Sequence, residues 1–254
     1  MKKRHLFAGI LACALTLTLA ACGLSGADVT TYIQGELDCT YKGQYSQEYL
    51  DLVDGMTEED AKQQYEDNAQ AEAQRLLNYL EVFYPNDEVN ERATQLVKDI
   101  YAKAQYSVGE GNKLQGGDFA VEVILSPIEV FHLIPDETYA EIWSQVCADN
   151  GTTPDEASTL SEAAYQELDA EYALRMIEKV EQVLPQATYG QDQSVMLQLK
   201  LDGDYYYHAG RHGPRLHRRL HVTLPCPLPF AVSALTFPAE IYTINGTSFP
   251  SPIL

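Results

Sequence analysis

Basic residues are scarce through most of this chain. Residues 28–207 hold ten Lys and Arg against 36 of the 37 acidic residues, a net charge of −26. Such a body is repelled by phosphate backbones, which argues against nucleic acid as a partner. It is also repelled by an anionic lipid surface, and it serves solubility. Cysteine is scarce too, with Cys13, Cys22, Cys39, Cys147 and Cys226 forming no disulfide framework. No Cys and His spacing matches a zinc site. There is no Gly-x-Ser-x-Gly elbow, no phosphate-binding glycine loop and no His-Glu-x-x-His helix. The sequence therefore implies no cofactor and no metal, and identifies no catalytic residue. Long apolar runs are lacking, with one exception. Leu6 to Ala21 is uncharged behind Lys2-Lys3-Arg4; it is short for a membrane span and has the layout of a secretory signal.

That signal ends in Leu19-Ala20-Ala21-Cys22. The box resembles the lipobox of bacterial lipoproteins. The resemblance implies thioether lipidation of Cys22, cleavage before it and acylation of the new N-terminus. Two or more acyl chains anchor a protein stably where one binds only marginally. The expected organisation is a signal peptide over residues 1–21, a tether over 22–27, an extracytoplasmic domain over 28–207, and a compositionally distinct tail over 208–254. The membrane, reached through the N-terminal lipid, is then a partner, and the expected location is the extracytoplasmic face of the cell membrane. Cys13 leaves with the signal. Cys39 and Cys147 remain, either as a disulfide permitted by an oxidising compartment or, favoured by their wide separation, as two buried thiols.

From Asp28 the pattern is helical, with Tyr32, Ile33, Leu37, Tyr41, Tyr49, Leu52 and Val53 as apolar points and a break near Lys42-Gly43. Thr57-Glu58-Glu59-Asp60 reads as a capping box. The helix behind it places Tyr65, Ala69, Ala73, Leu76, Leu80 and Phe83 on one face, and Pro85 stops it. A third helix starts near Asn86-Asp87 and buries Val89, Ala93, Leu96 and Ile100. Between Tyr106 and Ser126 the period changes to two, with Phe119, Val121, Val123 and Leu125 facing one way, as in an antiparallel hairpin packed on helices. Asp136 to Ala148 reads as a short helix closed by Asn150-Gly151. Thr153-Pro154-Asp155-Glu156 is a helix start, and the long helix behind it buries Leu168, Tyr172, Met176, Val180 and Val183. Val195, Leu197, Leu199 and Leu201 form a half-buried strand, Asp202-Gly203 a turn, and Tyr205-Tyr206-Tyr207 the start of a return strand. The fold class is α+β, with helices packed on one face of a small antiparallel sheet.

Three stretches carry a wider resemblance: residues 32–44 (Tyr-Ile-Gln-Gly-Glu-Leu-Asp-Cys-Thr-Tyr-Lys-Gly-Gln), Tyr101 through Tyr106-Ser107-Val108-Gly109, and Ser126-Pro127-Ile128-Glu129-Val130. Together they resemble a family of uncharacterised lipoproteins from gut Clostridia and related Firmicutes, over residues 1–207. The resemblance implies a lipid-anchored protein on the outer face of a Gram-positive membrane and carries no catalytic or binding residues. In that family the last Gly-x-Tyr-Tyr strand is followed by a short acidic helix containing Ile-Asp. Residues 208–254 depart from this. They hold seven of the 12 prolines, four of the six histidines (His208, His212, His217 and His221), four arginines and Glu240 as the one acid. With Arg in its four-fold codon box, His208 to His212 is CAY-GCN-GGN-CGN-CAY. Read one nucleotide later it permits Met/Thr-Pro-Asp-Asp-Met, and His221-Val222-Thr223 then permits Met and a stop. The expectation is a frameshifted, loosely attached tail whose histidines and Cys226 form no site.

In the body, Asp202-Gly203-Asp204 lacks the later ligands of a calcium loop, and His132 reads as a packing residue. The 17 tyrosines offer an aromatic platform for glycans or peptides, with core packing as the ordinary use. The favoured role is a tethered, non-catalytic binding module. The alternatives are a solute-binding component of a transporter, for which the body is short and lacks a repeating βα pattern, and a hydrolase using two carboxylates, which needs a cleft and a raised pKa.

Overall fold

The computed structural model describes residues 25–53, 55–115, 119–210 and 213–223, with Gln198 and the residues from Lys200 onward described as backbone. The expected signal, Cys22 with the expected lipobox Leu19, Ala20 and Ala21, and residues 224–254 with Cys226 lie outside the described residues. The described part is α+β, with helices against one face of an antiparallel sheet.

Helix α1 spans Gly26–Leu37. It begins two residues before Asp28 because Ser25 and Asp28 cap each other: the Asp28 N–H donates to Ser25 Oγ at 3.2 Å and the Ser25 N–H to Asp28 Oδ2 at 2.9 Å. Gly26 and Ala27, counted with the expected tether over 22–27, lie in this helix. One π-helical turn, Asp38–Lys42, follows and ends at Gly43, whose φ of 61° puts it in the left-handed region. A Cβ on Gly43 would also stand 2.9 Å from the Tyr65 ring. Helix α2, Gln47–Leu52, crosses α1 where Gly35 leaves room. A Cβ there would fall 2.3 Å from Cγ of the fully buried Tyr49.

Helix α3, Glu58–Tyr79, has the expected Thr57–Asp60 box. It ends earlier than Pro85 requires. The Glu81 N–H reaches back to the Asn78 carbonyl at 3.2 Å and the Val82 N–H to the Leu77 carbonyl at 3.0 Å, with Glu81 at φ 58°. Val82 and Leu77, the two positions that usually meet across such a left-handed C-terminal closure, are both buried. The reversal corrects one expectation. Val82 faces the core, and Phe83, placed by helical spacing on the buried face, is 67% exposed. Helix α4, Asp87–Tyr101, is capped by Asn86 and buries Val89, Ala93, Leu96 and Ile100 as its periodicity requires.

Strand β1 (Gln105–Val108) and the short β2 (Asn112–Lys113) both pair antiparallel with β3 (Phe119–Ser126), which also pairs with β6 (Gln193–Gly210). Phe119, Val121, Val123, Leu125, Leu197 and Leu199 are buried under the helices, while Glu122, Ile124, Ser194 and Met196 face outward. Strands β4 (Ile128–Glu129) and β5 (Thr188–Tyr189) form a separate two-stranded ladder. Helix α5 (Asp136–Asp149) is closed at Asn150-Gly151 as expected.

Thr153 caps a helix, as expected, but only the short α6, Pro154–Ala157. The Ser158 and Thr159 hydroxyls fold back onto the Asp155 and Glu156 carbonyls, at 3.1 and 2.7 Å, and end it. The long helix α7, Glu162–Val183, takes its own cap from Ser161. Leu168, Tyr172, Met176 and Val180 are buried as expected, and Val183 half-buried. Scarce cations stitch the helices together: Lys98 to Glu66 (α4 to α3), Arg92 to Glu181 (α4 to α7), and Arg175 to both Asp149 of α5 and Glu171. Exposed pairs of this kind contribute at most about 1 kcal/mol each; the core between helices and sheet carries the fold.

The last strands bring the second correction. Asp202-Gly203 does not turn the chain. Strand β6 runs on through it, and four steps from Leu201 to Tyr205 oppose two steps on β7 (Gly213–Thr223), from Leu220 to Arg218. Extra residues in one strand of a pair make a bulge, a position glycine favours. The tail expected to hang loose from residue 208 is thus paired as far as Thr223. No proline interrupts residues 215–223, so each backbone amide there can donate to the ladder. A proline-free stretch pairs with an open strand edge whatever its coding origin, so the pairing does not bear on the reading frame.

Candidate functional site

The buried and half-buried carboxylates are the first place to look for chemistry, and Glu36, Asp38, Glu72 and Asp169 each have a structural partner. Glu36 accepts from Tyr49 Oη at 2.7 Å and Gln64 Nε2 at 3.0 Å. Burial raises its pKa against the lowering effect of these bonds. Glu72, 3% exposed, accepts from Tyr101 Oη at 2.9 Å and pairs with Arg75. Asp38 accepts from Tyr106 Oη and Gln34 Nε2, at 2.7 and 2.8 Å. Asp169, 2% exposed, accepts the backbone N–H groups of Phe83 and Tyr84 at 2.8 and 2.6 Å, both on Oδ2. Burial raises its pKa, and the two amide bonds oppose that shift.

These contacts explain the stretches that carry the family resemblance. In residues 32–44, Gly35 admits Tyr49, Glu36 holds its hydroxyl, Asp38 holds Tyr106, the Cys39 thiol reaches the Ala61 carbonyl at 3.4 Å, and Tyr41 stands edge-on to Tyr101 with centroids 5.0 Å apart. In Ser126–Val130, Ile128 and Val130 are buried and the Pro127 carbonyl accepts from the Gly190 N–H. They are joints of the fold. Cys39 and Cys147 are separate buried thiols, as favoured from the sequence. His132 lies exposed on a single 3-10 turn, 3.8 Å from Glu129.

Two open grooves are present. One, of about 630 Å³, runs between α3 and α4, and its Lys98 is engaged with Glu66. The other, of about 460 Å³, lies beside α1 and includes Thr30, Gln34, Asp38, Tyr45 and Ser46. Among the described residues no cluster of three or more His, Cys, Asp or Glu is placed to hold a metal ion. No helix among them is long and apolar enough to cross a membrane.

One surface is built to present side chains outward. Phe83 and Tyr84, 67% and 43% exposed, follow the left-handed Glu81. Their backbone is pinned by buried Asp169 from α7. Tyr84 meets Tyr165 edge-on at 6.1 Å, Tyr165 meets Trp143 at 6.0 Å, and Trp143 meets the buried Tyr172 edge-on at 5.8 Å. A row of rings therefore runs from core to solvent across the α3–α4 turn, α7 and α5, with its geometry fixed at both ends. Such edge-to-face contacts contribute about 0.5–1.5 kcal/mol each beyond their area. Burial raises the pKa of both Tyr165 and Tyr172, and the negative charges of Asp169 and Glu81 add to it. Exposed rings on a rigid, acid-flanked support can take up apolar groups, sugar faces or cations. The sequence offers its tyrosines as a platform, with core packing as their ordinary use, and singles out none of these residues; helical spacing carried on to Pro85 puts Phe83 in the core.

No protein-family model matches the chain, and no curated protein matches it significantly. Among solved structures it is similar to a crystal structure from Bacillus subtilis subsp. subtilis str. 168 of a protein proposed to be a lipoprotein (ycdA), with a TM-score of 0.45 and 14% identity. The superposition covers 69% of this chain and 49% of that one, so the chain spans about half of that structure's length. A superposition this loose assigns neither a fold family nor a role.

Proposed function

We propose that this chain is a lipid-anchored protein of the cell envelope, tied through Cys22 to the extracytoplasmic face of the membrane, and that it acts as a non-catalytic binding module. The contact face is the exposed Phe83 together with Tyr84, Tyr165 and Trp143 of the ring row. The observation that carries this reading is the local investment at Asp169, where a buried carboxylate and a left-handed glutamate hold two exposed aromatics in one geometry. The hydrolase alternative finds less support, because the carboxylates with raised pKa values accept hydrogen bonds from structural partners. The transporter alternative finds less support because the buried apolar residues of the described part form a single cluster.

Trp143 is the only tryptophan in the chain and sits in the row, so its emission reports occupancy directly. The purified protein is titrated with peptidoglycan fragments, wall glycopolymers and basic peptides. A saturable emission change, lost in the Phe83→Ala/Tyr84→Ala variant, is expected for one class. Saturable binding that the double variant leaves intact would refute the ring row as contact face. For the anchor, a palmitate analogue should label the wild type and not Cys22→Ala. We also propose that codons 208–254 are read out of frame; an intact frame through codon 254 in an independent isolate would end that idea.

A further inference from the structure

The segments that carry the exposed rings contain no cation. Residues 76–91 hold Glu81, Asp87, Glu88 and Glu91, and residues 136–174 hold ten further acids, without one Lys, Arg or His in either stretch. The cations that border them are engaged: Arg75 with Glu72, Arg92 with Glu181, and Arg175 with Asp149 and Glu171. Elsewhere the chain supplies cations to its own rings. Lys42 stands 4.3 Å from the Tyr106 centroid, Lys98 5.3 Å from that of Tyr65, and Lys113 5.9 Å from that of Phe119. Among the described residues no cation stands in this way over Phe83, Tyr84, Tyr165 or Trp143.

Glu81 stands at the start of this patch. Its φ of 58° is one that glycine adopts freely, so a carboxylate is kept there at a cost to the backbone. The side chain is exposed and lies two residues before Phe83. Burial raises the pKa of Tyr165 and Tyr172, and the charge of Glu81 reaches far enough to add to it, which puts carboxylate and rings in one neighbourhood. A ring face is negative, and a carboxylate beside it attracts the same cation. A neutral sugar draws on the rings alone, and an anionic polymer is repelled.

On the reading that the rings are the contact face, we propose that their ligand is a basic peptide segment of a partner protein, taken up through an arginine side chain. The guanidinium stacks on the exposed ring of Phe83 or Tyr84 and pairs with the Glu81 carboxylate, a combination that its planar fork serves and a compact ammonium does not. The uncompensated acids extend over α5, α7 and the start of α4, wider than one side chain, so they steer in a segment with several cations.

The full chain, purified in nonionic detergent, is titrated with a capped pentapeptide carrying two arginines, with its citrulline counterpart, and with an N-acetylglucosamine tetramer. Trp143 emission and calorimetry are the readouts. The arginine peptide should bind saturably, and the citrulline peptide about ten-fold more weakly. Glu81→Gln should weaken the arginine peptide about two- to five-fold, and Glu81→Gly, which relaxes the backbone, as much without loss of stability. Glu59→Gln removes the same charge at the other end of α3, about 30 Å away and several Debye lengths off, and should change nothing. A citrulline peptide bound as tightly, or equal losses at 81 and 59, would overturn the arginine contact. Absence of peptide binding would overturn it too, and sugar binding that Phe83→Ala/Tyr84→Ala abolishes would then leave the contact face standing. Peptide binding that this double variant leaves intact would overturn the contact face and the proposal with it.

Discussion

Replacing Asp169 tests the claim that the exposed aromatics are held from within. Both amides, Phe83 N–H and Tyr84 N–H, go to the same oxygen, Oδ2. An asparagine with its carbonyl oxygen in that place can still accept both and loses only the charge assistance. An alanine leaves two N–H groups facing a void at a position 2% exposed. Hydrogen bonds to a charged group contribute about 1.5–3 kcal/mol each, roughly twice a neutral bond. Against this stands the cost of keeping the carboxylate ionised in a buried place, whose direction shows in its raised pKa. The Asn variant should therefore lose about 1 kcal/mol or less, and the Ala variant about 3 kcal/mol. Urea unfolding followed by far-UV circular dichroism gives the stability. Trp143 emission in the folded baseline reports on the row, and it should shift in Asp169→Ala but not in Asp169→Asn. Equal losses in the two variants, or an Ala variant within about 0.5 kcal/mol of wild type, which is the range of an inconsequential surface change, would refute the reasoning.

Three further outcomes follow from the same geometry. Glu81→Gly should stabilise the fold by about 0.5–1 kcal/mol, since glycine removes the strain of a left-handed φ of 58°; a loss in urea midpoint would show that the Glu81 side chain contributes more than its backbone costs. Gly35→Ala gains about 1 kcal/mol of helix propensity but drives a methyl into the Tyr49 ring, for a net loss of about 2 kcal/mol, read as a lower thermal midpoint; a rise would mean that α2 is free to move away. Burial raises the pKa of Glu36 and of Asp169, so both bind a proton more readily folded than unfolded, and stability falls as pH rises from their unfolded values through their folded ones. The thermal midpoint should climb as pH drops through their raised folded values toward the ordinary carboxylate range, and Glu36→Gln with Asp169→Asn should flatten that climb. Asp28 and Asp60, held low by their cap bonds, lose their contribution only at more acid pH.

Most of the scaffold was legible in the sequence because its signals are local. The Thr57–Asp60 box, the Asn86 cap, the alternation from Phe119 to Leu125 and the break at Gly43 each depend on residues within a turn or two, and each appears where the chain says. The departures arise where a local signal met a longer-range alternative. Thr153-Pro154 is a sound helix start, yet the hydroxyls of Ser158 and Thr159 close that helix at once and Ser161 opens the long one. Asp202-Gly203 suits a two-residue turn, but a strand that finds a later partner turns the same dipeptide into a bulge. Phe83 fits the helical stripe only if α3 runs to Pro85.

That last departure bears on function. A left-handed turn at a glutamate is poorly signalled by sequence, since glycine is the residue that announces it, and the carboxylate that secures the turn lies 85 residues or more away, in α7. The three stretches of family resemblance describe buried joints, where Gly35, Glu36, Asp38 and Tyr106 must fit one another. The exposed Phe83 and Tyr84 lie in none of those stretches. The rings at 83 and 84 require only a turn and a buried acceptor beneath them. Transplanting other side chains onto those two positions, with Asp169 and Glu81 kept, should alter what is bound while leaving the urea midpoint within about 0.5 kcal/mol of its starting value. A large loss of stability on such exchange would place Phe83 and Tyr84 in the core's service and remove the reason for calling them a contact face.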